Sequence, residues 1–185
     1  MNNVRDTQKE ELTRQVIVSL KKQMSASKAK MAALYVEQCF RRVPVDGLVT
    51  HAPQALAAMI MGQLEFMSVR KPVENLIRVF NPRLDSDGWE SPHTIIEMVN
   101  DDMPFLVDSA TLTLSEIGMG IHLIMHPVVR VDRDSKGRLT AIHQKSAEKG
   151  MPESVMQFQV DRQTGSEELE HIRTRLLDAF TDVRL

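Results

Sequence analysis

Apolar positions follow a helical period through roughly the first seventy residues and a different one afterwards. Leu12, Val16, Leu20 and Met24 recur every four positions and form one stripe of a helix. Ser25-Ala26-Ser27 interrupts that stripe, and Ser27 is placed to cap a second helix in which Ala32, Val36 and Phe40 share a face. Val43-Pro44-Val45-Asp46-Gly47 reads as a turn. Pro53 opens a third helix with Leu56, Ile60, Leu64 and Met67 in register, and Lys71-Pro72 ends it. The pattern predicts a helical segment over residues 1–72.

From residue 73 onward the chain alternates strands and helices, which predicts a second unit over residues 73–185. A short strand runs from Asn75 to Phe80, and a nearly all-apolar one from Thr94 to Val99 is expected to lie centrally, buried on both faces. A helix follows, with Leu106, Val107, Ala110, Leu114 and Ile117 on its buried stripe and Gly118 just past its end. One long half-buried strand is read from Ile121 to Arg133, with Ile121, Leu123, Met125, Val129 and Val131 on its apolar face. Asp134-Ser135-Lys136-Gly137 makes a hairpin to Leu139–His143, and residues 144–153 form a polar loop. Met156, Phe158 and Val160 alternate with Gln157, Gln159 and Asp161 in a further strand. The last helix begins near Ser166 and turns Leu169, Ile172, Leu176 and Phe180 inward. This order predicts an α+β fold: a ferredoxin-like antiparallel sheet with two helices on one face, preceded by the helical segment.

Composition narrows the function classes. A net charge of -2 leaves no electrostatic footprint for nucleic acid, and Lys21-Lys22 and Arg41-Arg42 read as solvated helix faces. Cys39 is the only cysteine, so no internal disulfide forms. With no apolar run suited to a signal or a membrane span, a cytoplasmic protein is expected. Twelve methionines are read as core filling.

The stretch Ile95–Ile121, IIEMVNDDMPFLVDSATLTLSEIGMGI, carries the most information. It resembles the signature of ACT domains, in which a strand ends in an Asp-x-Pro-Gly-Leu-Leu turn, a helix follows, and a Gly precedes the next strand. Asp102, Pro104, Leu106, Leu114, Ile117, Gly118 and Ile121 occupy those roles. Asn100–Ser109, Ile121–Arg130, Ser91–Thr94 and Arg78–Pro82 further resemble the start of the large bacterial NAD-specific glutamate dehydrogenases.

The resemblance implies a regulatory or assembly region of a parent enzyme that oxidises L-glutamate to 2-oxoglutarate and ammonia with NAD. The parent's catalytic region would lie beyond Leu185. The implied partners are that remainder of the chain, further copies in a homo-oligomer, and an amino-acid effector. Asn100, Asp101, Asp102, Pro104, Phe105 and His122 are the candidates for an effector or interface turn. Phe105 stands where ACT domains have Gly; it is read as filling the space through which a ligand or subunit approaches, which speaks against an effector there. The sheet, covered on one face, is expected to pair with a second copy.

No catalytic or cofactor-binding residue is assigned to the chain itself. Gly118-Met119-Gly120 follows a helix and precedes a strand, the reverse of the dinucleotide fingerprint. His122 and His126, on one face of a strand, would lie about 13 Å apart, too far for one metal ion. Glu97, Asp101, Asp102 and Asp108 lack an accompanying nucleophile, and Asp102 is read as the cap of the following helix, with Pro104 in its first turn. The alternatives are a stand-alone small-molecule-binding domain or an acylphosphatase-like hydrolase, and the latter lacks its Gly-rich phosphate turn.

Overall fold

A computed structural model describes residues 2–183, residues 2 and 3 by backbone only. Four helices come first: α1 (Asn2–Gln23), α2 (Ala26–Phe40), the single turn α3 (Val45–Leu48) and α4 (Pro53–Phe66). The α/β portion follows as β1 (Leu76–Phe80), the short α5 (Leu84–Asp87), β2 (Thr94–Asp101), α6 (Leu106–Glu116), β3 (Ile121–Met125), β4 (Val128–Arg133), β5 (Leu139–His143), β6 (Met151–Val160) and α7 (Ser166–Val183). All strands pair antiparallel, in the order β1-β2-β6-β4-β5, with β3 also on β6.

β2 and β6 form the centre of the sheet, in register from Thr94↔Val160 to Asp101↔Glu153. The nearly all-apolar reading of β2 fits this place, since both its faces are covered. Ile96, Met98, Met156, Phe158 and Val160 pack against α6 and α7, joined by Ala110, Leu114, Ile172, Leu176 and Phe180. That is the expected two-helix face, and it follows from the two amphipathic helical stripes.

The other face departs from expectation. It is not open for pairing with a second copy. Ile95, Val99, Val129, Val131, Ile142 and Val155 share one continuous core with Leu12, Val16, Leu20, Tyr35, Val36, Phe40, Leu56 and Ile60 of the helical segment. The apolar stripes of α1, α2 and α4 therefore bury against one another and against the sheet. Gln157 and Gln159, polar positions of an alternating strand, lie buried under this layer.

Local boundaries shift for identifiable reasons. The strand predicted over Ile121–Arg133 is two strands, because His126-Pro127 interrupts it and proline has no N–H for the ladder. β3 and β4 pair in succession with β6, at Gln157–Val160 and Met151–Ser154. A bulge between Ile121 and Leu123 also turns Ile121 towards α6 and α7, away from the side of Leu123 and Met125. β6 begins at Met151, inside the predicted loop. α2 begins at Ala26 with Ser25, not Ser27, at its N-cap position, and no side chain caps it.

Candidate functional site

The β2–α6 turn is anchored at its base and exposed at its tip. Asn100 is buried, and its amide donates to Asn75 Oδ1 at 2.6 Å. Asp101 accepts from Arg70 Nη2 at 2.7 Å. The N–H of Asp102 donates to the Pro152 carbonyl at 3.3 Å, which ties the turn to β6.

The expected cap does not form. No side chain caps α6; Phe105 holds its N-cap position with φ 67°, and Pro104 lies in the turn before the helix. Asp102 is exposed. The backbone at Phe105 adopts the left-handed region natural to Gly, so the side chain is thrown outward, 70% exposed, and does not fill the space inside the turn.

His122 is not part of this turn. Its neighbour Ile121 pairs with Val160, opposite Thr94, whereas Asp101 pairs with Glu153 at the other end of the same strands. Seven residues of strand separate the two ends, about 23 Å. There His122 Nε2 lies 2.7 Å from Asp161 Oδ1, and its ring stacks on His93 with centroids 4.1 Å apart. Asp161 also accepts from the Gly120 N–H at 2.8 Å, and a Cβ on Gly120 would stand 2.7 Å from that carboxylate. The hydrogen bonds from His122 and Gly120 hold the Asp161 carboxyl below the usual range. Desolvation, followed by the charge of His122, lowers His93.

A second feature lies where α2 ends beside the β3–β4 break. A cleft of about 280 Å³ is lined by Arg41, Arg42, Asp102, His126 and Lys145, among others. His126 is half-buried, with Nε2 2.8 Å from Ser154 Oγ. Desolvation lowers its pKa; Asp102 opposes that shift and Arg42 reinforces it. Gln38 straps the wall, its amide donating to the carbonyls of Leu34 and His143 at 3.0 Å each. The cleft was not legible as such: Arg41-Arg42 read as solvated, and only folding brings Lys145 and Asp102 to them.

Buried ion pairs tie the layers together. Arg70 and Arg133 both reach Glu153, at 2.8–2.9 Å. Arg133 also donates to the Met67 carbonyl at the end of α4, so this cluster clips the helical layer to the sheet. Glu97, buried, accepts from Arg78 at 2.6 Å and Gln157 at 3.1 Å, far from the exposed Asp108. Burial pushes the Cys39 thiol up to about 12, away from the reactive thiolate form. Among the described residues, no group of three His, Cys, Asp or Glu is placed to hold a metal ion, and no helix is long and apolar enough to cross a membrane.

Comparison with known proteins adds the context of a longer chain. The family described as "Glutamate dehydrogenase, ACT1 domain" matches residues 35–176. The chain is 31% identical over 176 residues to the NAD-specific glutamate dehydrogenase of Halomonas elongata, covering 94% of this chain and 11% of that protein. It is 27% identical over 179 residues to the NAD-specific glutamate dehydrogenase of Pseudomonas aeruginosa, covering 96% of this chain and 11% of that protein. The chain thus corresponds to a small part of the curated relatives it matches. No solved structure matches it.

Proposed function

Because the chain belongs to the glutamate dehydrogenase ACT1 domain family, we propose that it is the amino-terminal regulatory and assembly region of a longer NAD-dependent glutamate dehydrogenase. The parent would oxidise L-glutamate to 2-oxoglutarate and ammonia with NAD, in the cytoplasm. The carrying observation is the near-complete alignment of this chain to only 11% of each NAD-specific relative. Catalysis and NAD binding then reside in the rest of the parent chain. Here the region contributes contacts to that remainder and to other copies, and a place for a small effector.

The internal chemistry supports a non-catalytic role. The charged residues of the core are engaged in holding layers together. The one buried thiol is held protonated, and the Gly118–Gly120 segment joins a helix to a strand. The β2–α6 turn, with Phe105 displayed on a constrained backbone, suits a contact more than a reaction. The test is an assay of the purified chain with glutamate and NAD. No NADH forms and no NAD binds on this reading; turnover by the chain alone would overturn it.

A further inference from the structure

The cleft beside the strand break concentrates positive charge that the protein does not neutralise. Arg41, Arg42 and Lys145 line it against one carboxylate, Asp102. None of the three cations has an ion-pair partner among the described residues. The end of α2 does not account for both guanidiniums, although cations commonly settle at a helix C-terminus. The Phe40 carbonyl already accepts from the Val43 N–H at 3.3 Å, and the Arg41 carbonyl accepts from Lys9 Nζ at 3.2 Å. Three like charges around one concavity repel one another, and an anion placed among them relieves that repulsion while making charge-assisted hydrogen bonds.

We propose that this cleft is a binding site for a small anion carrying two negative charges, held by Arg41, Arg42 and Lys145 with His126 beside it. At about 280 Å³ the cleft is at the small end of ligand sites, suited to a phosphate group or a short dicarboxylate and too small for a nucleotide. Two guanidiniums offer the paired N–H geometry that both oxyanion types accept. Asp102 opposes the anion and tempers affinity, which makes the site sensitive to a neutral replacement there. The half-buried imidazole of His126 reports occupancy, since a bound dianion favours its protonated form against the desolvation that lowers it.

This deepens the regulatory reading, from which it takes its biological role. Binding is tested on the chain itself, so failure to bind removes the site and leaves the assignment to a longer dehydrogenase untouched. The experiment titrates the protein with sodium phosphate and, separately, with succinate, each at constant ionic strength. Calorimetry measures affinity, and NMR follows the imidazole signals of His126 and of the exposed His171 on α7.

The expected result is saturable binding of at least one anion that moves His126 and leaves His171 in place. Phosphate alone would mark a phosphate site, and succinate alone a carboxylate site. Arg42→Gln and Lys145→Gln each weaken binding about tenfold, and Asp102→Asn strengthens it about threefold, each within the range of a single charge-assisted contact. All three positions are exposed, so the variants keep the fold. No saturable binding of either anion would overturn the proposal. So would equal affinities across the variants, or His126 and His171 shifting alike.

Discussion

Replacing Glu153 with Gln should destabilise the fold far more than any surface charge change. Glu153 lies on β6 with its side chain 4% exposed, and it answers two guanidiniums: Arg70, 3% exposed, and Arg133, 12% exposed. Gln preserves the shape and one acceptor oxygen but removes the shared countercharge. Breaking a buried pair by neutralising one partner costs about 3–5 kcal/mol, because the other charge is left buried. The lower end applies here, since Arg70 keeps Asp101 at 2.7 Å and Arg133 keeps the carbonyls of Gly137 and Met67. A loss of about 3 kcal/mol corresponds to a fall in Tm of roughly 6–12 °C for a chain of this size. Urea melts of the wild type, Glu153→Gln and a control, Glu170→Gln, would measure it. The control removes the exposed Arg173–Glu170 pair and should leave the melt nearly unchanged. If Glu153→Gln lost no more than the control, the cluster would not be the clip between helical layer and sheet that its geometry implies.

Phe105→Gly should be neutral or stabilising by up to about 1 kcal/mol, because relief of the left-handed strain exceeds the added chain entropy; a loss above about 1 kcal/mol in urea melts would contradict the strain argument. Asp102→Ala should change stability by less than about 0.5 kcal/mol in the same melts, whereas a capping residue would cost about 0.5–2 kcal/mol. His51, His93 and His126 all sit below their ordinary value of 6.5, chiefly through desolvation. The unfolded chain therefore takes up protons first, so stability should fall as pH drops from about 7 through 6.5 and level off below the folded values. Thermal melts across that range should show a smaller fall for His126→Gln, and an unchanged slope would count against the burial of this ring.

Much of the fold was legible because it depends on local patterns. The nearly all-apolar run Thr94–Val99 lacks the alternation of a half-exposed strand, which points to a central place, and β2 is central. The stripe Ile172, Leu176 and Phe180 could only face a core, and it meets Met98 and Phe158. The stripes of α1, α2 and α4 were equally clear, but a stripe says that a face is buried and not what buries it. That the helical segment itself covers the second sheet face was therefore not legible. On that face the buried Glu97 meets Arg78 of β1, Gln157 of β6 and Gln63 of α4, a set that only the fold brings together.

The strand break at Pro127 could have been read, because proline in the middle of a strand carries its own warning. Asn100 and Asp101 still belong to β2, and the turn that follows has a backbone the sequence does not reveal, since nothing in the residue Phe announces a positive φ. His122 was grouped with that turn by resemblance, and strand register sends it to the opposite end of the sheet beside His93 and Asp161. The basic cleft depends on four separate segments and so has no linear signature.

The most direct test of the regulatory and assembly role is the glutamate saturation curve of the parent dehydrogenase with and without residues 1–185, followed by NADH formation at matched protein concentration. The account predicts that the shortened enzyme still binds NAD and turns over glutamate, with half-saturation or cooperativity clearly altered. Superimposable curves, or loss of NAD binding together with turnover, would contradict it.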